Sequence, residues 1–505
     1  MAPGTSVSSI CRQFKLTFSR WPDKVAVKFD NRACTFRELD RASARLGAHL
    51  FEYLAEIRSP FAILLQDPVD VVIAITGAIR RGLSYSVLSE SNPPARLRAI
   101  LVDLDARLLL TEPALLPLAR SGAPVDCTIV SVADIPRRDD DDLDPQIRSD
   151  DAVGIYYTSG STGEPKGVMR LHGAIVARAL AEIVEEQFEP DDIHCLTSPF
   201  SASASLLFFS AFFSGATCVT CRLEKSGFDS LKRVLLDERI TIFRASVEPL
   251  KCFFAGLATD DFFPDLRSLF PFGDALYRRD IEAWRTHLPQ SAVVVSTLSS
   301  SEIGVMTRNV TRYDTPLPAS KLFAGYPASN KQILLLDDNG IEVPRGETGE
   351  IAVRSDLPFY GYWRRPELTT MRLTPDPADP SRTIFRSGDL GRLHPDGQLE
   401  YMGRKDFQVK VRGFSVDLSA IENVLMGYEG VHRAVVAAPA DAEGQRRLVA
   451  YVLPGRGVEL SVKRLRDLVS KTLPTHMVPA VIEIVSELQM GFTQKVDRTA
   501  LPRRS

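Results

Sequence analysis

The stretch YYTSGSTGEPKGV, Tyr156 to Val168, concentrates small polar residues and glycines around a single lysine. Three glycines, Gly160, Gly163 and Gly167, let backbone amides turn inward into an anion-binding nest. Thr158, Ser159, Ser161 and Thr162 add hydroxyl donors, and Lys166 adds a positive charge. Phosphate binding is the chemistry such a stretch suits. It is not the P-loop pattern GxxxxGK, because Pro165 stands where the second glycine must be. An ordinary Gly/Ser surface loop is the competing reading of this stretch alone.

Residues 151–157 are apolar enough to form a strand, so the loop leaves a strand's carboxyl end, where ligands gather in open α/β sheets. The surrounding chain supports that architecture. TFRELDRASARLGAHLFEYL begins with Thr35 and has Glu38 three residues later, a capping box, with Leu39, Ala42, Leu46 and Leu50 at helical spacing. VDVVIAITGAIRRG reads as a second helix ending near Gly82. The continuous run 292–298 predicts a strand buried on both faces. Strands are also expected at 331–336 and 350–354, and GRLHPDGQLEYMGR reads as a hairpin turning at Pro395-Asp396-Gly397. After Gly403 the pattern changes to short strands at 434–438 and 448–453 and a helix at 461–473, stopped by Pro474. The expected division is a large α/β core over 1–402, a hinge at 403–406 and a small α+β domain over 407–505.

Bulk properties exclude several classes. A chain of 505 residues is too long for one core. A net charge of −3 provides no field that attracts nucleic acid or anionic lipid. The greasiest run, 206–213, is too short to span a bilayer. The first residues lack an apolar secretory segment, so a cytoplasmic protein with no nucleic-acid or membrane partner is expected. Seven cysteines read as reduced thiols, and the Cys218/Cys221 pair lacks the second pair of a zinc site. RRDDDDLD near Asp140 reads as a solvated loop.

YTSGSTGEPKGV resembles the signature of the adenylate-forming superfamily, which includes acyl-CoA synthetases, luciferases and the adenylation domains of nonribosomal peptide synthetases. Further segments resemble family motifs in family order: TFRELD, STLSSSEIG, FRSGDLGRL, GRKDFQVKVRGFSVDLSAIE and QKVDRTALP. The resemblance covers nearly the whole chain. It implies an ATP-dependent, Mg²⁺-assisted ligase whose acid substrate attacks the α-phosphate, expels pyrophosphate and is then passed to a thiol. Two anions must meet in such a site, so charge has to be neutralised there.

By that resemblance, Lys166 and the hydroxyls of the loop hold the terminal phosphates. Ser301 and Glu302 fall on the family's Thr-Glu pair, with Glu302 carrying Mg²⁺. Asp389 falls on the ribose-binding aspartate, Arg404 reaches ribose or phosphate, and Lys495 falls on the catalytic lysine of the small domain. Asp406 falls on the hinge position, with a plain turn residue as its alternative. Rotation about the hinge would withdraw Lys495 and bring the Gly413 region toward a pantetheine tunnel.

Three departures bear on the substrate. Phe200 is followed by Ser201, where members that activate α-amino acids carry an aspartate for the ammonium; a hydroxyl does not replace a carboxylate there. Leu298 stands where the family stacks an aromatic ring on adenine. PFGDAL replaces Gly-Gly-Glu, so Phe272 shortens the pocket, while Asp274 either contacts adenine or pairs with a substrate amine. Phe200, Ser201, Ser205, Phe272 and Ile303 are the expected pocket residues. QVKVRG resembles the peptide-synthetase branch, so a carrier protein's phosphopantetheine is the expected acceptor. The alternatives are an acyl-CoA synthetase using free CoA and an inactive nucleotide-binding scaffold.

Overall fold

The computed structural model describes residues 9–54, 59–136, 147–159, 165–319, 321–355, 361–379, 382–405, 408–411, 414–439, 446–473, 477–489, 496 and 501. Before residue 405 three sheets form. In the nine-stranded sheet, six consecutive inner strands run parallel: Val25–Phe29, Thr217–Thr220, Ile193–Leu196, Ile242–Ser246, Ser268–Phe272 and Val293–Ser300. Their antiparallel neighbours close both sides. A six-stranded sheet is parallel except for its last pair, Ala152–Ser159 with Pro165–Leu171. A five-stranded antiparallel sheet contains Thr383–Leu393 and Leu399–Arg404, the hairpin expected around residues 395–397.

Helices cover these sheets because their apolar stripes demand it. Phe36–Leu54 starts with the expected capping box: the Glu38 amide donates to Thr35 Oγ1 at 3.2 Å, and the Thr35 amide donates to Glu38 Oε2 at 2.8 Å. Such a cap stabilises a helix by about 1 kcal/mol. Pro68–Arg80 has Asp67 as its N-cap, Pro at the first helical position, and Gly82 at φ +66° just beyond its end. Together these elements bury a core running from Ile10 through Phe36, Ile75 and Phe212.

After residue 408 the strands form separate small sheets. Val431–Ala437, Val449–Pro454 and Val481–Ile484 make one, covered by Leu418–Met426 and Val462–Thr472. Their apolar faces form a core of their own around Ile421, Val436 and Leu465.

One strand differs from its sequence pattern. Val293–Ser300 buries Val294 and Val295 but leaves Val293, Thr297 and Leu298 only half-buried. Its far half borders a cavity, which a β-branched run cannot reveal. Cys218 and Cys221 are buried free thiols, pushed up to about 12 and about 11 by desolvation. No helix among the described residues is long and apolar enough to cross a membrane.

Candidate active site

The strands on either side of the Gly/Ser stretch, Ala152–Ser159 and Pro165–Leu171, pair antiparallel. Thr158 pairs with Lys166 and Ser159 with Pro165, so Lys166 and Gly167 lie on the returning strand. Gly167 therefore serves close packing: a Cβ there would come within 2.8 Å of Ile155 and 3.1 Å of Trp363. Gly160, Ser161, Thr162, Gly163, Asp406, Gly413 and Lys495 lie outside the described residues, as do the side chains of Thr158 and Ser159 and the Asp140 loop.

The returning strand carries a residue that sequence reading missed. Arg170 is buried, and its guanidinium donates to the Glu302 carbonyl at 3.0 Å and to the Ser301 carbonyl. Burial and the neighbouring Arg178 lower its pKa to about 10. Arg170 thus ties the hairpin to the Ser301–Glu302 corner. An arginine four residues after the motif lysine, on a strand otherwise apolar inward, was the available signal.

The corner itself is held from two sides. Ser301 Oγ lies 3.0 Å from Ser203 Oγ, and Tyr362 donates its hydroxyl to Glu302 Oε1 at 2.8 Å. Burial, and then Glu302, push the Tyr362 phenol far above its ordinary range, so it stays a donor. The Tyr362 backbone bridges to Val168, and its ring packs with Val168, Ile303 and Phe385. Asp103 anchors the following residues: it pairs with Arg365 at 2.6 Å, accepts from Tyr157 at 2.8 Å, and its carbonyl accepts from Trp363 at 3.1 Å. Phe385 lies on the strand that carries Asp389. The hairpin, the Glu302 corner and the Asp389 strand therefore meet around Tyr362.

Asp389 is buried, and its amide donates to Ser387 Oγ at 3.0 Å. Arg404 is its cross-strand partner, with Nη1 at 3.6 Å from Oδ1. The hairpin register alone places this pair face to face. Leu298 is half-buried opposite Thr307 and packs against the Met306 cluster.

The expected pocket residues separate. Phe272 is half-buried and lines a cavity of about 100 Å³ together with Ala204, Leu207, Phe270, Thr297 and Ser299. Phe200 is buried edge-on against Phe208 at 5.6 Å. Ser201 is half-buried. Ser205 is fully buried and donates to the Ala202 carbonyl at 2.7 Å, inside the short helical turn Ser203–Leu207. Ile303 joins the Tyr362 cluster. Of this segment it is Ser203 that touches the Ser301 corner.

Asp274, left open between two roles, contacts the C-terminal part of the chain: Arg433 approaches it at 2.9 Å. That contact belongs to a larger seam. Arg433 and His432 both reach Glu248, at 3.2 and 2.8 Å, Tyr277 donates to Asn423 at 3.1 Å, and Arg279 reaches the carbonyls of Tyr428 and Val431. Hydrogen bonding to Cys252, and then to Glu248, raises His432 to about 9. A histidine held above its ordinary 6.5 contributes fully below pH 6.5 and loses its contribution as pH rises through about 9. The seam should therefore loosen across that window. Small-angle scattering between pH 6.5 and 9.5 is expected to show a growing radius of gyration, and His432→Ala should remove the pH dependence. An unchanged profile in that variant would place the titration elsewhere.

The comparisons agree with this geometry. The sequence profile of the AMP-binding enzyme family matches residues 14–363, and that of the AMP-binding enzyme C-terminal domain matches residues 420–495. The chain belongs to the AMP-binding enzyme family, as the ordered motifs implied. It is 31% identical to tyrocidine synthase 3 of Brevibacillus parabrevis over 96% of its length, and spans 7% of that protein. Its fold superposes on the anthranilate CoA ligase AuaEII in complex with anthranoyl-AMP with a TM-score of 0.84, at 21% identity, covering 99% of this chain and 97% of that one. It superposes on the four-domain nonribosomal peptide synthetase holo-AB3403, bound to AMP and glycine, with a TM-score of 0.82, at 24% identity, covering 99% of this chain and 37% of that one. The expected adenylate-forming fold, with a large N-terminal part and a smaller C-terminal part, is borne out.

Proposed function

We propose that this chain activates a small carboxylic or amino acid with ATP as an acyl-adenylate, then passes the acyl group to the phosphopantetheine thiol of a carrier protein. The observation that carries the proposal is the convergence at Tyr362 of the Lys166 hairpin, the Glu302 corner and the strand of Asp389. In the first step a carboxylate oxygen attacks the α-phosphorus, the bridging P–O bond breaks, and pyrophosphate leaves. In the second the thiol sulfur attacks the acyl carbon and AMP leaves.

Each residue has a role its chemistry fits. Lys166 and the hydroxyls of the preceding Gly/Ser stretch receive the terminal phosphates. Glu302 suits Mg²⁺: Tyr362 occupies Oε1, and Oε2 carries no hydrogen bond among the described residues. A Mg²⁺ ion there would neutralise phosphate charge. Asp389, acceptor-only and backed by Arg404, grips the ribose hydroxyls. Lys495 approaches from the small domain and bridges the carboxylate and the α-phosphate, and the chain divides at a hinge over 403–406 that turns at Asp406.

Asp389→Asn tests the ribose assignment. Losing charge-assisted hydrogen bonds worth about 1.5–3 kcal/mol should raise the KM for ATP roughly ten- to a hundredfold in ATP–pyrophosphate exchange. A change confined to the KM of the acid would remove Asp389 from the ribose.

A further inference from the structure

The cavity beside Phe272 continues away from the Ser301–Glu302 corner. It runs from Ser299 and Thr297 past Phe270 to Arg244 on the strand Ile242–Ser246. Arg244 is only 3% exposed, yet its Nε and Nη2 have no hydrogen-bond partner among the described residues. A buried guanidinium with orphaned donors is costly unless something accepts from them. Its remaining support is soft. The guanidinium lies 4.6 Å from the Phe270 ring and 5.0 Å from the Phe188 ring, and Nη1 is 3.6 Å from Glu182.

The carboxylates around the cavity are already engaged. Glu182 faces Arg178 at 3.2 Å, and Arg308 holds both Glu185, at 2.8 Å, and Glu186. Lys331, on the same wall, donates to the carbonyls of Ile303 and Val305. Burial, and then Arg178 and Arg170, lower it to about 7. A ligand ammonium would have to displace an arginine to reach any of these carboxylates. An anionic oxygen would meet the Arg244 donors that have no partner among the described residues.

We propose that the cavity selects an acid carrying a second carboxylate, seated on Arg244, with the reacting carboxyl directed to the Ser301–Glu302 corner. The inference rests on the adenylation reading and names its substrate class.

The test is ATP–pyrophosphate exchange over matched pairs of short dicarboxylic acids and their half-amides or methyl-ended analogues. Native protein should prefer the dicarboxylic member at least tenfold in kcat/KM. Arg244→Met should reduce that ratio at least tenfold, and so should Arg244→Met combined with Glu182→Gln, which removes the opposing charge and protects the fold, as circular dichroism would verify. Equal use of both members by the native protein, or an unchanged ratio in the folded variants, overturns the inference and leaves adenylation standing. No exchange with any acid overturns both readings.

Discussion

Lys495→Ala is expected to cut ATP–pyrophosphate exchange by at least roughly a hundredfold without unfolding the protein, since removing one preorganised donor from a charge-developing site costs a factor of about 10²–10³. In the proposed first step a carboxylate approaches a triphosphate, and the repulsion peaks as the new P–O bond forms. A lysine between the two groups lowers the barrier where that repulsion is greatest. The same variant supplied with preformed acyl-adenylate should lose far less of its thiol-transfer rate, because the proposed hinge rotation withdraws the lysine before that step. Near-normal exchange would strip the lysine of its role.

The second large effect belongs to Arg170, which touches no substrate and acts as a positioning residue. Arg170→Met leaves the part-buried Ser301 and Glu302 carbonyls without their donor. Each orphaned acceptor costs about 1–3 kcal/mol. Removing a guanidinium that burial already disfavours recovers part of this, so a net loss of roughly 2–4 kcal/mol is expected. Exchange should fall further than stability explains: a shift of Glu302 of the order of 1 Å can cost about 10²-fold. The loss should fall mainly on kcat, the Mg²⁺ dependence should move to higher concentration, and Arg170→Lys should recover part of it. A lower melting temperature with unchanged kcat and Mg²⁺ dependence would make Arg170 purely structural.

Much of the architecture was legible because its signals are local. The Thr35/Glu38 cap, the second helix ending near Gly82, the turn at residues 395–397 and the helix after Ser461 all formed as read. Each depends on residues within about one turn of one another, so nearest-neighbour chemistry decides it. Family membership was legible too, because six motifs in order leave few alternatives.

The pairings across the site were not legible. Arg170 meets residues more than a hundred and thirty positions away, and Tyr362 meets Glu302 sixty positions away. Neither contact leaves a periodic trace. Ser205 and Ser203 look interchangeable in SASAS, yet the helical turn directs one hydroxyl to a backbone carbonyl and the other to Ser301. Arg244 reads as an ordinary strand residue until the packing of Phe188, Phe270 and Glu182 encloses it. The sequence by itself determined which segments turn, which extend, and that a stretch rich in glycine and hydroxyl residues follows a strand. Only the tertiary structure decided which side chains face one another, because sheet register and burial bring together residues whose separation along the chain carries no information about their separation in space.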